Sequence, residues 1–596
     1  MLSGWGASLG LGVVAFLARV CFAHAGLDAD WPYSVHYKGD ALVWLQWVLA
    51  GRTGGVFEAG LPLRPPGNAW LIDALWDGTP AGIGQLKLAW AAMGGFFVVA
   101  FHRSLLGALG AGVATVAAGL AALSTSGLIL ASSPGNEVPY LALVAAAIAL
   151  RARPGSEGPD DTASDQLWRL VVAAGLHALA TLFRAEHLLV FVVFTLLEAR
   201  NALRDRGSPR GLRAVLLSGG IYVLALVPWH LSLWSSVARF NAGGVPLDPA
   251  GDRALASVEA RTNHIAWLPD ARDELDELPA FSRRAVAAFV SATVMHRRGG
   301  VVGSEELGII EETWGTRPKP LAARPFVAPY GALNFFLANH PQAGAGFNRA
   351  ALNAPPPLAG GVERYPPELV GAMPPGTLSF QYPPHLEAFN DGYRLGLDWI
   401  LSAPGEWARL ATVKLTGFWR GASLGWTGYG IPIGASGTRH AVDVVVPRGP
   451  LATFWRIIVL LVCIVAVFHL LSARQDREHS ALSRFRFPVS LWLVFGLLRA
   501  LVAVAFFGYA RQGALAAPVV HIAFAVVLAH WVAPRLAGRA RRVGMALLVL
   551  GLALEGLRAA IGVTATVDGV PIGERDPFPG PVHVDRQIEF TSGDQK

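Results

Sequence analysis

Residues 167–198 read LWRLVVAAGLHALATLFRAEHLLVFVVFTLLE, two apolar runs joined by the polar turn Arg184-Ala185-Glu186. A helix that crosses a bilayer needs roughly 20 largely apolar residues, and lipid tolerates no unpaired backbone groups, so such runs read as spanning helices. The same pattern recurs along the chain, near 3–23, 84–102, 105–124, 137–152, 167–183, 186–198, 214–234, 452–472, 487–507, 513–533 and 543–562. None of these runs alternates as a barrel strand would. The composition agrees. Of 596 residues, 53% are hydrophobic and 15% charged, with a mean hydropathy of +0.43, whereas a soluble domain carries about 25% charged residues. The reading is an all-α polytopic membrane protein of about eleven transmembrane helices, which excludes soluble, fibrous and disordered classes. The two cysteines, Cys21 and Cys463, both lie in apolar runs, so no disulfide framework or zinc cluster is implied.

Arginines in short loops favour the cytoplasm. The loops 199–213, 473–486 and 534–542 hold Arg200, Arg204, Arg206, Arg210, Arg213, Arg474, Arg477, Arg484, Arg486, Arg535, Arg539, Arg541 and Arg542, and Arg103, Arg151 and Arg153 fall on the same side. The short loops opposite hold only Arg184 and Arg511. This places the N-terminus inside and the tail 563–596 outside. The first run is read as an uncleaved helix: Ala23-His24-Ala25 resembles a cleavage site, but Met1 to Gly6 carry no Lys or Arg.

Two extracytoplasmic loop regions interrupt the helices, which divides the chain into 1–234, 235–450, 451–562 and 563–596. One loop is 24–83. The other is 235–450, charge-balanced with 19 Lys and Arg against 19 Asp and Glu, and rich in Pro and Gly. Within it, 391–419 places Leu395, Trp399, Trp407, Leu410 and Phe418 mostly on one side, as in a helix lying along the outer membrane surface. Small residues at Gly107, Gly110 and Ala111 read as helix-packing positions.

Few polar groups break the apolar pattern. Asp40 precedes the aromatic stretch 41–50, either as a helix cap worth about 1 kcal/mol or as a general base on an acceptor hydroxyl or amine. Arg184, Glu186 and His187 cluster between two short helices, as a structural ion pair or as groups facing a cavity. Two residues apart, Arg184 and Glu186 would diverge on a regular helix and meet only around a break. Asn136 and Glu137 tip the neighbouring hairpin and could meet the same cluster. Arg511 is an interfacial anchor or a phosphate clamp, and Arg499, deeper in its helix, is a second candidate for a lipid-facing charge. Walker loops, G-x-S-x-G and metal-ligand spacings are all missing from the sequence, so nucleotide-driven transport has no support. No cofactor is implied, no nucleic-acid partner is indicated, and a divalent-metal requirement stays open.

Several of these stretches together resemble the GT-C superfamily of membrane glycosyltransferases, in the bacterial branch of protein O-mannosyltransferases and aminoarabinose lipid A transferases. They are Gly39-Asp40-Ala41 followed by Arg64-Pro65-Pro66-Gly67; Thr181 to Glu186; Asn334 to His340 with Gly344 and Gly346; Trp399 to Glu406 with Lys414 and Phe418-Trp419; and Tyr509-Ala510-Arg511 with Ala517-Pro518. Ala41, Ala185, Ala338 and Ala510 depart from the family pattern. The resemblance covers about residues 1–533. It implies a bacterial inner-membrane enzyme that transfers a sugar, with inversion, from a polyprenyl-phosphate donor to an extracytoplasmic acceptor. Asp40 would then be the base, Arg184 and Arg511 would hold the donor phosphate, and Arg64, Glu137 and Glu186 would line the substrate site. The rival readings are a transporter or flippase, a polymerase or ligase of lipid-linked glycans, and an inactive assembly subunit. Paired repeats and broken midplane helices would mark a transporter.

Overall fold

The computed structural model describes residues 2–25, 40–53, 61–79 without 63, 82–152 without 132, 163–204, 209–243, 249–314, 317–322, 328–346 without 345, 352, 378, 380, 383–423, 432–433, 440–441, 449–472 and 487–532. The expected span 543–562, the tail and the loops 473–486 and 534–542 lie outside them.

Among the described residues, the elements up to residue 241 are all helices: α1 (Leu2–Ala25), α2 (Asp40–Thr53), α3 (Gly67–Leu75), α4 (Gly82–Leu123), α5 (Thr125–Ala131), α6 (Glu137–Arg151), α7 (Ala163–Phe183), α8 (His187–Arg204) and α9 (Pro209–Asn241). α4 is long enough for two spans, and Gly110 breaks it at φ 76°, ψ 164°. His102 Nε2 lies 3.3 Å from Thr115 Oγ1, whereas 13 residues of straight helix would separate them by about 20 Å. α4 is therefore a hairpin whose turn is Gly110 rather than residues 103–104. A positive φ suits glycine, so Gly110 is a turn and not the packing position expected of it. Arg103 correspondingly lies within the helix, with its guanidinium carbon 4.4 Å from the Trp5 ring centre.

Apolar burial gives little net drive between helices already in lipid, so close backbone approach matters more. Gly12 and Gly95 supply it between α1 and α4: a Cβ on Gly95 would sit 2.8 Å from the Gly12 carbonyl oxygen. The bundle core joins Phe101, Tyr140, Phe194, Trp492 and Phe495. Trp492 donates to Ser104 Oγ at 3.0 Å, which satisfies its buried indole N–H. The outer face is lipid-like, with Leu216, Val223, Leu224 and Leu231 on α9 all more than half exposed.

The segment after α9 holds α10 (Pro249–Thr262), α11 (Pro269–Glu277), α12 (Ala280–His296), α13 (Ser304–Leu307) and α14 (Ile309–Trp314) around their own core of Val258, Phe289, Val290 and Ile310. Two strands, β1 (Ala266–Trp267) and β2 (Val301–Val302), pair in parallel there, and β3 (Pro432–Ile433) pairs antiparallel with β4 (His440–Ala441). Among the described residues the chain is helical, with two minimal two-residue ladders. α15 (Gly331–Ala338) and α16 (Pro383–Ser402) pack with Phe240 and Phe507 at the ends of the spans. The expected single helix over 391–419 is two: α16 ends at Ser402, Ala403 turns out of helical geometry, and α17 (Pro404–Ala422) starts with Pro404 in its first turn. A proline lacks the N–H that a continuing helix needs and is at home in the first turn of a new one.

α18 (Gly449–Ser472), α19 (Phe487–Ala505), the short α20 (Ala510–Ala514) and α21 (Ala517–Val527), which widens into a π turn over 528–532, are the last described helices. Among the described residues, three helices are by themselves long and apolar enough to cross a membrane, Gly82–Leu123, Leu212–Asn241 and Phe487–Ala505, and shorter apolar helices accompany them. The apolar helices mark an integral membrane protein.

Candidate active site

Four helix ends converge on one polar cluster. α7 stops at Phe183, α8 starts at His187, and the turn between them lets Arg184 Nε donate to Glu186 Oε1 at 2.7 Å. The break therefore does what the two-residue spacing required. From the next hairpin, Asn136 and Glu137 at the start of α6 accept from Arg184 Nη1, both at 3.2 Å. From α20, Gln512 Oε1 accepts from Arg184 Nη2 at 2.8 Å, and Arg511 Nε lies 3.2 Å from Glu137 Oε1. Glu137, Arg184, Glu186 and Arg511, all named from the sequence, thus stand together.

Two more residues take part: Arg499, read from the sequence as a lipid-facing charge, and Gln512, which was not named. Arg499 on α19, only 1% exposed, does not face lipid; it donates to Glu186 Oε1 at 2.9 Å and also to Gln512 Oε1. A charge inside an apolar helix was the signal for Arg499. Gln512 carried none, being one neutral amide beside an arginine. It accepts from two guanidinium groups, while its own Nε2 donates to the Tyr509 hydroxyl at 3.2 Å.

Three guanidinium groups and two carboxylates leave the cluster one net positive charge. The shell behind it is polar and aromatic. Tyr140 lies under Arg184, its ring centre 5.9 Å from the guanidinium carbon, and its hydroxyl is 3.0 Å from His187 Nδ1. His187 Nε2 in turn is 2.7 Å from His177 Nδ1. Asn136 Nδ2 donates to the Phe183 carbonyl at 3.1 Å, fixing the α6 hairpin to the turn.

The first outer loop abuts the same turn. A Cβ on Gly67 would fall 2.8 Å from the Leu182 carbonyl oxygen, so only glycine lets residues 64–67 lie against 182–183. The Arg64 guanidinium carbon lies 5.6 Å from the Trp44 ring centre on α2. Asp40 is the first residue of α2, and its side chain lies outside the described residues. Below the external region, Lys414 on α17 is fully buried and donates to Asn339 Oδ1 at 3.2 Å and to the Val504 carbonyl at 3.1 Å. Burial lowers its ammonium to about 8. Burial, and then the Lys414 charge, lower the neighbouring His340 to about 4. Among the described residues no group of three or more His, Cys, Asp or Glu could hold a metal ion.

No protein-family model and no curated protein matches the chain. Solved structures do. The archaeal oligosaccharyltransferase AglB from Archaeoglobus fulgidus, in complex with an inhibitory peptide and a dolichol-phosphate, is 12% identical, with a TM-score of 0.42 over 95% of this chain and 58% of that one. This chain therefore spans less than two thirds of AglB's length. ArnT from Cupriavidus metallidurans matches in the apo state at 15% identity and TM-score 0.31, over 90% of this chain and 81% of that one. Bound to undecaprenyl phosphate, it matches at 15% and 0.28, over 89% and 80%.

Proposed function

We propose that the chain is a glycosyltransferase that moves a sugar from a polyprenyl-phosphate donor to an acceptor on the extracytoplasmic side of a bacterial inner membrane. The observation that carries this reading is the cluster of Arg184, Arg499 and Arg511 with Glu137 and Glu186 where α6, α7, α8 and α20 meet. In inverting transfer the bond between the sugar's anomeric carbon and the donor phosphate oxygen breaks as the acceptor oxygen or nitrogen attacks from the opposite face. Negative charge then grows on the departing phosphate. Guanidinium groups already held by glutamates and Gln512 meet that charge without reorganising, which is how fixed positive groups lower a barrier. Arg184, with one Nη2 N–H left beyond its four bonds, and Arg511 bring positive charge to the phosphate, and the cluster's one positive charge favours an anion there.

Asp40 takes the acceptor proton in this reading, and Arg64, Glu137 and Glu186 shape the substrate pocket around it. Dolichol-phosphate and undecaprenyl phosphate, the lipids in the AglB and ArnT structures, belong to the donor class proposed here. The test uses a synthetic short-chain polyprenyl-phosphate sugar with the purified full-length protein. Asp40→Asn should bind donor but lose transfer, and Arg184→Ala and Arg511→Ala should weaken donor binding more than acceptor binding. Full transfer by Asp40→Asn, or unchanged donor titration in both arginine variants, rejects these roles. Movement of the lipid across proteoliposomes without any new glycosidic linkage would instead mark a flippase.

A further inference from the structure

Inside the bundle, next to the cluster, lies a cavity lined partly by Val138, which follows Glu137, and by Ala514, two residues after Gln512. The space open to water centres is about 30 Å³. One water needs about 10–15 Å³ on that measure, so the room is for about two waters or one small ion, and far too little for a phosphate-bearing lipid. Its walls are apolar or glycine except for Arg19 on α1, Ser124 between α4 and α5, and His521 on α21.

Those three groups are unevenly satisfied. His521 is 2% exposed, and neither ring nitrogen has a hydrogen-bond partner. Arg19, also 2% exposed, donates through Nη1 to the carbonyls of Ala15 and Ala122 at 2.9 and 3.0 Å and through Nη2 to that of Ala121 at 3.4 Å, while its Nε has no acceptor. Among the described residues no carboxylate pairs with it. Ser124 Oγ accepts from the Gly127 N–H at 3.1 Å, which leaves its own O–H to donate. The guanidinium occupies a prepared place: a Cβ on Gly127 would lie 2.9 Å from Nη2, and one on Gly94 would overlap Nε.

The electrostatic balance follows from these contacts. Ala121 and Ala122 are among the last carbonyls of α4, and a helix C-terminus offers only about half a negative charge, so Arg19 keeps a positive remainder in a medium where an uncompensated charge is costly. Ala517 and Pro518 line the cavity at the start of the eleven-residue α21, whose N-terminus adds positive potential. The residues that line the space keep three uncommitted donors, the Arg19 Nε–H, the Ser124 O–H and one His521 N–H, against one acceptor, the other His521 nitrogen. We propose that this cavity binds one monovalent anion of halide size, chloride in the cell. The anion completes the charge of Arg19 and ties α1, the α4–α5 junction and α21 together beside the arginine–glutamate cluster. This site does not depend on the identity of the sugar donor.

Two measurements on the full-length protein test it. A structure from crystals soaked in bromide, with data collected at the bromine absorption edge, should show one anomalous peak between His521 and Arg19. In detergent, the unfolding midpoint should rise by several degrees when sodium chloride replaces sodium gluconate at equal ionic strength, because a ligand of the native state stabilises it. His521→Phe should abolish that rise. If that variant does not fold, the milder Ser124→Ala should reduce the rise several-fold. Ordered water in the cavity without a bromide peak, equal midpoints in the two salts, or a full halide response in the variants overturns the proposal.

Discussion

Arg184 donates from all three guanidinium nitrogens, to Glu186, Asn136, Glu137 and Gln512. Removing one member of a buried ion pair costs about 3–5 kcal/mol because the partner charge is stranded. Arg184→Ala should therefore lower the unfolding midpoint as well as donor affinity. Arg184→Lys keeps the charge but not the planar fork that holds these four partners, so it should recover only part of the midpoint and part of the donor binding, read by thermal unfolding beside a donor titration. His340 supplies a pH effect of definite sign. Its pKa falls from 6.5 to about 4 through burial and the nearby Lys414 charge, so the unfolded chain binds the proton more readily. Its contribution is complete above pH 6.5 and is lost as pH falls from 6.5 towards 4. The unfolding midpoint should drop across that interval, and His340→Gln should flatten the drop. The side chain of Asp40 shows the opposite limit: the motif names it, while it lies outside the described residues.

At the level of elements, α17 docks on the segment between α19 and α21 through glycines. A Cβ on Gly513 would overlap the Phe418 carbonyl oxygen, one on Gly417 the Gly508 carbonyl oxygen, and one on Gly508 the Lys414 backbone. Gly405, in the first turn of α17, has nothing within 4 Å of where its Cβ would stand. Gly513→Ala should thus lower the unfolding midpoint clearly, while Gly405→Ala should leave it unchanged or raise it, since alanine favours a helix over glycine by about 0.5–1 kcal/mol. The spans were legible as elements because twenty apolar residues in a row have few alternatives in lipid. The turn at Gly110 was not, because the flanking stretch is apolar on both sides and Arg103 imitates a loop residue. The division of 391–419 at Pro404 had a local signal in Pro404 itself, outweighed by an apolar face that runs on past it.

For the whole molecule, the arginine fringe sets the expected orientation, with residues 249–314 outside. A single cysteine at the exposed Glu305, in a Cys21→Ser, Cys463→Ser background, should react with a membrane-impermeant maleimide added to intact spheroplasts, and one at Arg484 should react only after lysis. The reverse pattern would invert the topology and, with it, the side on which transfer is proposed. Composition and charge order along the chain by themselves determined the membrane class, most helices and the polar exceptions worth attention, because the hydrocarbon core imposes helix length and polarity residue by residue. They also marked Glu137, Arg184, Glu186 and Arg511 as unusual. Only the tertiary structure decided what these groups do to one another. That Arg499 turns inward to Glu186, that Gln512 joins two arginines, and that Arg19 and His521 share a cavity are facts about helices brought side by side from positions up to hundreds of residues apart. No local pattern encodes such contacts, since each arises from packing that closes the distance between segments.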